Sequence, residues 1–320
     1  MKKKILALVA LTLVLVMALA SCGGGTQLAM GTGGTGGTYY AFGGVLGQYI
    51  TNLAGSNCVP VPTDGSKANI QGIDSGDYQL GTVQSDVMAY AWLGTNSFEA
   101  EGKMDSFRVI GGLYAEAVQL ITVDPEIQSI YDLAGKRISI GAPASGVYFN
   151  AMDVLEAAGL GIEDIEPQYL SFNDSAEGLK DGKIDAAFVV AGAPTPAVVE
   201  LMTTNENARL VPIDGDAAAA IMAKCPYYTE YPIPAGTYNG QNEDVTTITV
   251  KATLIVSADL DEDTVYNITK AIFDNIDAIK AEHAKGAELS IENATSGMTP
   301  PFHKGAAKYF AEKGVIVNAE

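Results

Sequence analysis

The same order of predicted elements occurs twice in this sequence, and this repeat constrains the fold more than any other feature. A strand, a small-residue loop, a helix, a second strand, a turn and a second helix follow one another in residues 28–92 and again in residues 137–202. Strands that alternate with helices over such distances are typical of βαβ units with parallel strands. The sequence therefore predicts an α/β chain with two βαβ lobes of similar architecture.

Two further β-rich segments are long enough to pass from one lobe to the other. We expect the chain to cross near Ala115–Ile121 and again near Thr246–Val250, and two crossing strands make a hinge. Lobe 1 would then comprise residues 28–117 and 250–320, and lobe 2 residues 118–249. Open α/β sheets bind ligands beyond the carboxyl ends of their strands, so the ligand cleft is expected between the lobes.

The first small-residue loop is a glycine-dense stretch from Gly31 to Tyr40. Glycines allow positive φ angles and close approach of a ligand to the backbone. The helix that follows directs free N–H groups and the positive end of its dipole at the same place, so an anionic or strongly polar occupant is expected. Nucleotide motifs fit poorly, because Asp64 falls too late for the dinucleotide fingerprint and Gly37 replaces the lysine of a Walker loop.

The second small-residue loop, Gly141–Gly146, precedes a helix predicted from Phe149. Ser145 is interpreted as a hydrogen-bond donor to a ligand or as a plain N-cap, and the two roles are compatible. We expect Ser145→Ala to weaken binding by about 1 to 3 kcal/mol. A hydrolase is disfavoured, because the loop lacks the Gly-x-Ser-x-Gly elbow and His283 and His303 lie outside the predicted cleft loops. We therefore predict no catalytic residues.

The amino terminus has the pattern of a lipoprotein export signal. Lys2–Lys4 is followed by an apolar run from Ile5 to Ala20 that is shorter than a membrane-spanning helix, and then by Cys22. Residues 1–21 are predicted to be removed, with residues 22–27 as an anchor linker. The chain should then be exported and held at the outer face of the cytoplasmic membrane by lipid on Cys22 alone.

The charge and cysteine content limit the partners. Removal of residues 1–21 takes away three lysines, so the net charge of −19 becomes −22. A surface this acidic disfavours nucleic acid and anionic lipid as partners. Cys58 and Cys225 could form a disulfide or could be small buried hydrophobic residues. We predict no cofactor and no metal, and we expect a monomer.

Several motifs, taken in order, resemble those of one receptor family. They are Gly31–Tyr40, Gly135–Gly146, Asp181–Phe188 with Gly192-x-Pro194, Gly236-Thr237-Tyr238, and His303–Tyr309. Together they resemble the TAXI family of TRAP-transporter solute receptors. The resemblance implies a type II periplasmic-binding-protein fold, capture of a small carboxylate such as glutamate, and delivery to an ion-driven TRAP membrane permease. Val147 departs from the threonine that many members carry at this position.

The two loops, the turn at Gly192, Gln84 and Tyr238 provide the candidate ligand-binding residues. The set is Gly34, Thr35, Gly36, Gly37, Thr38, Tyr39, Gln84, Ala144, Ser145, Gly146, Val147, Gly192, Ala193, Pro194 and Tyr238. For a ligand amine, Asp86 and Glu116 are the candidate partners. The competing ligand is an uncharged polar or aromatic solute, with Tyr39, Tyr40 and Tyr238 as walls.

An arginine clamp is not expected at the ligand carboxylate. The chain contains only Arg108, Arg137 and Arg209, and none lies in a predicted ligand loop. Backbone N–H groups at helix N-termini should bind the carboxylate instead.

Overall fold

The computed structural model describes residues 26–320, in which strands and helices alternate over most of the chain. The strands are β1 Thr26–Gly31, β2 Ser56–Val61, β3 Leu80–Gln84, β4 Phe107–Thr122, β5 Arg137–Ser139, β6 Glu166–Gln168, β7 Ala186–Ala191, β8 Arg209–Val211, β9 Thr229–Ile233 and β10 Val245–Ser257. The helices are α1 Thr38–Leu53, α2 Ser66–Asp74, α3 Ser85–Leu93, α4 Val147–Ala157, α5 Phe172–Lys180, α6 Pro196–Thr204, α7 Gly215–Lys224, α8 Glu262–Phe273, α9 Ile276–Glu282, α10 Ile291–Thr295 and α11 Lys304–Glu312. Short 3-10 turns lie at Asn96–Phe98, Ile130–Asp132, Ile162–Asp164 and Ala284–Glu288.

The described strands form one ten-stranded sheet that runs through both halves of the molecule. Its order is β2-β1-β3-β10-β4-β7-β5-β6, with β8 paired to β4 and β9 paired to β10. Strand β1 pairs in parallel with β2 and β3, and β5 pairs in parallel with β6 and β7. Each half therefore has the parallel βαβ arrangement that the sequence repeat predicted.

Strands β4 and β10 belong to both halves. The later part of β10 pairs with β3, its earlier part pairs with β9, and the later part of β4 pairs with β7. The two strands also pair with each other from Thr249 to Ser257 of β10, and at the crossing Glu116 lies opposite Val250 and Ala117 opposite Thr249. The register shifts just beyond Lys251. These strands are the two connections between lobes, and they contain the segments predicted to cross.

The hydrophobic cores change at the same crossing. One cluster draws its buried residues from positions 28–114 and 252–310, and two other clusters draw theirs from positions 117–250. Helix α1 shows why the elements pack as they do, because Phe42, Leu46 and Ile50 recur on one face and are fully buried. Burial of each such side chain contributes about 1.5 to 3 kcal/mol. We call the half with the first cluster lobe 1 and the other half lobe 2.

The sequence predicts one helix over Thr264–Glu282, and this prediction is wrong. The structure has two helices there, α8 and α9, separated at Asp274 and Asn275. The Asp274 carboxylate accepts hydrogen bonds from Tyr309 at 2.8 Å and from Lys313 at 2.7 Å. These bonds tie the end of α8 to the C-terminal helix region and are not visible in the local periodicity.

Other sequence predictions concern the cysteines and the amino terminus. Cys58 in lobe 1 and Cys225 in lobe 2 are both free thiols in buried positions. Cys22 and the predicted signal, residues 1–21, lie outside the described residues. Over residues 26–320, no helix has the length and apolar character needed to cross a membrane.

Candidate functional site

A cavity of about 110 Å³ lies between the two lobes. Lobe 1 lines it with Gly33, Gly34, Gly37, Thr38, Tyr39, Thr63, Asp64, Gly65, Ser66, Gln84 and Glu116. Lobe 2 lines it with Ala142, Ser145, Gly146, Val147, Leu170, Ser171, Phe172, Val190 and Ala191. Such a volume exceeds the roughly 10 to 15 Å³ that one water needs. It can hold several waters or a small solute.

Three helices begin at this cavity without a side-chain cap. They are α1, α2 and α4, whose first residues Thr38, Ser66 and Val147 all line it. By contrast, Asp261 caps α8 and His303 caps α11 through side-chain hydrogen bonds. The first-turn N–H groups of a helix have no partner within the helix, and the dipole adds positive potential. The cavity is therefore suited to an anionic group, although no basic side chain of residues 26–320 lines it.

The cavity also contains a buried acid, Glu116. Its carboxylate accepts a hydrogen bond from the Tyr39 hydroxyl, and its side chain is 1% exposed. Burial raises the pKa of Glu116 well above its ordinary value of 4.5, and the nearby Asp86 raises this pKa further, whereas the Tyr39 hydrogen bond and Lys285 lower it. Asp64 is the other charged residue of the lining, and it is exposed. Glu116 is thus a buried acceptor that an ammonium group would stabilise in its ionised form.

The structure brings eight of the predicted site residues into the cavity lining. They are Gly34, Gly37, Thr38, Tyr39, Gln84, Ser145, Gly146 and Val147. The Ser145 hydroxyl donates to the Ala142 carbonyl at 2.7 Å, so this hydroxyl braces its own loop and retains only acceptor capacity. The expectation that Ser145 donates to a ligand is corrected by this bond.

Three predicted residues contact the other lobe and do not line the cavity. Thr35 accepts a hydrogen bond from Asn173 at 3.3 Å, and the Gly36 carbonyl accepts one from the Ala197 N–H at 3.1 Å. The Ala144 carbonyl accepts from the Ala68 N–H at 3.3 Å. These residues hold the lobes together, because their polar groups are directed across the cleft at protein partners.

The glycine loop also differs from its predicted backbone conformation. No glycine from Gly31 to Gly37 has a positive φ. The absence of a side chain serves close packing instead, since a Cβ on Gly36 would lie 2.1 Å from the Asn173 Oδ1 atom. Gly141 in the second loop does have a positive φ, at +87°.

The turn after β7 and Tyr238 support the site without lining it. The Thr38 hydroxyl donates to the Gly192 carbonyl at 2.6 Å. Tyr238 is buried in a lobe 2 core, where its hydroxyl donates to Gln119 and accepts from the Thr195 N–H at 2.9 Å.

Ala193 is buried in the same lobe 2 core, and Pro194 is exposed. The prediction of Tyr238, Ala193 and Pro194 as cavity residues is corrected, because each lies in lobe 2 away from the lining. Tyr238 therefore forms no wall for an aromatic ligand.

The arginines and Asp86 also lie outside the lining. Arg137 pairs with Asp185 at 2.6 Å, Arg209 donates to the Asp124 and Ile127 carbonyls, and Arg108 pairs with Glu320 at 3.2 Å. Asp86 is fully buried and accepts from Asn150 at 3.0 Å. Of the two candidates for an amine, only Glu116 reaches the cavity.

Sequence reasoning did not predict eleven residues of the cavity lining, and three of these, Ser66, Ser171 and Phe172, lie at helix starts. A signal was present for two of them. Ser171 caps α5 by accepting from the Asp174 N–H, and a serine followed three residues later by an acidic residue predicts a helix start. Phe172 follows this cap directly, so the helix start places its ring at the cleft. Nothing in the local sequence distinguishes Ser66 from an ordinary first helical residue.

Comparison with known proteins gives a family and a fold. The model of a family described as the NMT1-like family matches residues 30–314. A solved structure of a protein from Bordetella bronchiseptica RB50 is 16% identical, with a TM-score of 0.55, and the match covers 89% of this chain and 89% of that one. A protein from Listeria monocytogenes described as a candidate L-cystine ABC transporter is 19% identical, with a TM-score of 0.51, and the match covers 83% of this chain and 98% of that one. With two lobes on a two-strand hinge and this likeness, the predicted type II periplasmic-binding-protein fold is confirmed.

Proposed function

This chain belongs to the NMT1-like family, and we propose that it is an extracytoplasmic solute receptor that captures a small carboxylate in the cleft and delivers it to a membrane permease. The observation that carries the proposal is the convergence of three uncapped helix N-termini on one cavity. Helices α1 and α2 come from lobe 1 and α4 comes from lobe 2. A carboxylate bound there would supply acceptor atoms for first-turn N–H groups, beside the Ala144 carbonyl that already accepts from the Ala68 N–H of α2.

The binding energy available at such a site is sufficient without an arginine. Hydrogen bonds to a charged group contribute about 1.5 to 3 kcal/mol each, and a helix N-terminus adds about 0.3 to 1 kcal/mol. Three or four such bonds support micromolar affinity, about −8 kcal/mol, after the costs of association. The three arginines, which all lie in the described part of the chain, form other contacts.

Glu116 supports an amino acid as the ligand. Its carboxyl lies in the cavity lining with one hydrogen bond from Tyr39, and an ammonium group is the complementary partner. A ligand with both a carboxylate and an ammonium would match the helix N-termini and Glu116 together. Glutamate, or a similar amino acid, is therefore the ligand we propose first.

The competing ligand is a solute with a larger apolar or aromatic part. The lobe 2 wall contains Val147, Leu170, Phe172 and Val190. These side chains would contact apolar surface of a ligand and provide no hydrogen bonds. The observation favours an apolar group on the ligand and is compatible with a carboxylate at the helix N-termini.

Hydrolysis has little support in the arrangement of the residues. The Ser145 hydroxyl donates to the Ala142 carbonyl, and neither histidine lines the cavity. The His303 ring contacts the Leu260 carbonyl at 2.9 Å, and the His283 ring packs against Phe42. A nucleophile without a base is not activated, so we propose a receptor and not an enzyme.

Delivery and anchoring rest on the sequence motifs. The resemblance to TAXI receptors supports an ion-driven TRAP permease as the partner, and Cys22 supports a lipid anchor at the outer face of the cytoplasmic membrane. We expect Cys22→Ser to abolish fatty-acid labelling and to release the protein from the membrane fraction. A variant that still labels and stays with the membrane would contradict the anchor.

The most direct test of the ligand is a screen on protein freed of bound solute. The protein is denatured, refolded and then melted with amino acids, 2-oxo acids, dicarboxylates, sugars and nucleosides. We expect amino acids to raise the melting temperature most, because they satisfy both the helix N-termini and Glu116. Stabilisation by sugars or nucleosides alone would refute the carboxylate, and turnover of a hit would restore the enzyme hypothesis.

Ligand binding should also stabilise the closed arrangement of the lobes. Contacts to the cavity are divided between both lobes, so only a closed form makes them all. We expect small-angle scattering to show a smaller radius of gyration with a saturating hit from the screen. Equal dimensions with and without that ligand would contradict closure.

A further inference from the structure

Beside the cavity, four buried polar side chains join the lobes. Gln84 donates from Nε2 to Asn150 Oδ1 at 3.0 Å, and Asn150 donates from Nδ2 to Asp86 Oδ2 at 3.0 Å and to the Tyr228 hydroxyl at 2.6 Å. Gln84 and Asp86 belong to lobe 1, whereas Asn150 and Tyr228 belong to lobe 2. We propose that Asn150 is a proton-dependent latch, which holds the lobes closed when Asp86 carries a proton.

The latch acts between lobes because of where Asn150 lies. It is on α4 of lobe 2, and separation of the lobes would break its bonds to Gln84 and Asp86. Gly146 makes the approach possible, because a Cβ at that position would lie 1.5 Å from the Gln84 Oε1 atom. Closure therefore depends on side chains that meet only when the lobes meet.

The need for a proton follows from the surroundings of Asp86. The side chain is fully buried, and its Oδ1 atom has no hydrogen-bond partner among the described residues. A buried carboxylate with an unpaired oxygen is costly, and protonation removes the charge.

The titratable groups that interact electrostatically with Asp86 are carboxyl, phenol and thiol groups, which are neutral when protonated. They are Asp153 on α4, Glu116 on β4, Tyr90 on α3, and Cys225, Tyr227 and Tyr228 between α7 and β9. Lys224 interacts with Asp153 and forms an ion pair with Glu156.

The direction of the pH effect follows from linkage. Burial raises the pKa of Asp86 to about 6, against the lowering by hydrogen bonds from the Val87 N–H and Asn150. In an open cleft, contact with water would return this pKa toward about 3.9. The closed form therefore binds the proton more tightly, and its advantage is lost as pH rises through about 6. Linkage gives about a tenfold larger closing constant at about pH 5 than at about pH 7.5.

The test measures the closed fraction of the unliganded full chain by small-angle scattering at about pH 5 and about pH 7.5. We expect the wild type to be more compact at the lower pH. Asp86→Asn keeps an acceptor for Asn150 without a charge, so it should be more compact than the wild type at the higher pH and should lose the part of the response that Asp86 contributes. Asn150→Ser should be more open at both values, and circular dichroism will show whether it folds.

Two further comparisons separate Asp86 from its acidic neighbours. Asp153→Asn should retain the pH response of the wild type. Glu116 lies in the cleft with a pKa that burial raises, so it can add a response of its own; in the Glu116→Gln background the response should persist with Asp86 and be lost with Asp86→Asn. Loss of the response in Asp153→Asn or in Glu116→Gln, or its persistence in the chain that carries both Glu116→Gln and Asp86→Asn, would overturn the assignment to Asp86. A wild type with unchanged dimensions would overturn the latch. No ligand is added, so these outcomes do not depend on the proposed carboxylate.

Discussion

The two small-residue loops at the cavity look alike in sequence and differ in what their glycines contact. In the first loop, Gly31–Gly37, no glycine has a positive φ, and Gly36 makes room for Asn173 of lobe 2. In the second loop, Gly141 has a positive φ, and Gly146 makes room for the Gln84 side chain of lobe 1. A glycine-rich loop before an uncapped helix thus indicates that another group lies close to the loop backbone. That group can belong to a ligand, to the other lobe or to the loop itself.

The largest effect is expected from Glu116, the acid that the first loop holds through Tyr39. Glu116→Gln should weaken binding of an amino acid by about 1.5 to 3 kcal/mol, because an ammonium group loses its charged partner. Calorimetry with the best amino acid from the screen measures the loss. Asp64→Asn is the matched control, since Asp64 lines the cavity but is exposed, and it should change affinity by less than about 1 kcal/mol.

Glu116 also predicts the direction in which stability changes with pH. Burial raises the pKa of Glu116, so the folded chain binds this proton more tightly than the unfolded chain does. The contribution of Glu116 to the stability of the wild type should therefore fall as pH rises above 4.5, its ordinary pKa. Glu116→Gln should melt at a higher temperature than the wild type at neutral pH. A lower melting temperature at neutral pH would contradict the buried, protonated state.

The second-largest effect tests the loop of lobe 2. Gly146→Ala places a Cβ 1.5 Å from Gln84 Oε1 and 2.9 Å from Val87 Cγ2. Overpacking of this kind costs about 1 to 3 kcal/mol. We expect this cost to make closure of the lobes less favourable. Affinity for the ligand should then fall about 5- to 150-fold, with little change in the melting temperature of the free protein. Equal affinity for Gly146→Ala and the wild type would show that Gln84 moves away freely.

A smaller effect is expected from the first residue of α1. Thr38→Val removes the hydroxyl that donates to the Gly192 carbonyl across the cleft. We expect binding to weaken by about 0.5 to 1.5 kcal/mol, the range for one neutral hydrogen bond. Thr38→Ser keeps the hydroxyl and should bind like the wild type. Ser145→Ala falls in the same range, below the 1 to 3 kcal/mol expected from sequence, because its hydroxyl already donates within its loop.

The smallest effect should come from Gly36→Ala in the first loop. The added Cβ would meet the exposed Asn173 side chain, which can turn into solvent, and would lie 3.1 Å from the Ala197 Cβ atom, which a small shift accommodates. We expect a change in affinity within about 0.5 kcal/mol. Gly34→Ala is the control, because a Cβ there meets no atom within 4 Å. If Gly36→Ala matched the loss in Gly146→Ala, the two loops would be equivalent in closure and the comparison would fail.

The sequence predicted the architecture well because alternation of strands and helices is a local property. The crossing segments were recognised from their length and apolar content, and the structure has β4 and β10 there. Thr38, Tyr39 and Ser145 were placed at the cleft because each lies in a loop before a helix, at the carboxyl end of a strand. This rule needs no knowledge of distant segments.

Contacts between distant segments were beyond the sequence. Nothing in the sequence around Asn150 shows that its side chain meets Gln84 and Asp86 of the other lobe. Tyr238 lies in a proline-rich segment, where no period shows which way the ring points, and it is buried in lobe 2. Side chains that join the lobes are determined by tertiary packing, which a single sequence does not encode locally.

The position of Glu116 on β4 has a consequence for the order of capture. Glu116 lies opposite Val250, where both strands pass from one lobe to the other. A point on a rotation axis hardly travels as a molecule closes, whereas Ser145 and Gly146, on a loop away from that axis, sweep a longer arc. A solute can thus first bind to Glu116 and α1 in the open receptor, and the second small-residue loop, Gly141–Gly146, contacts the solute later. Substitutions near the axis should then change the association rate of a solute, and substitutions in the distant loop should change its dissociation rate.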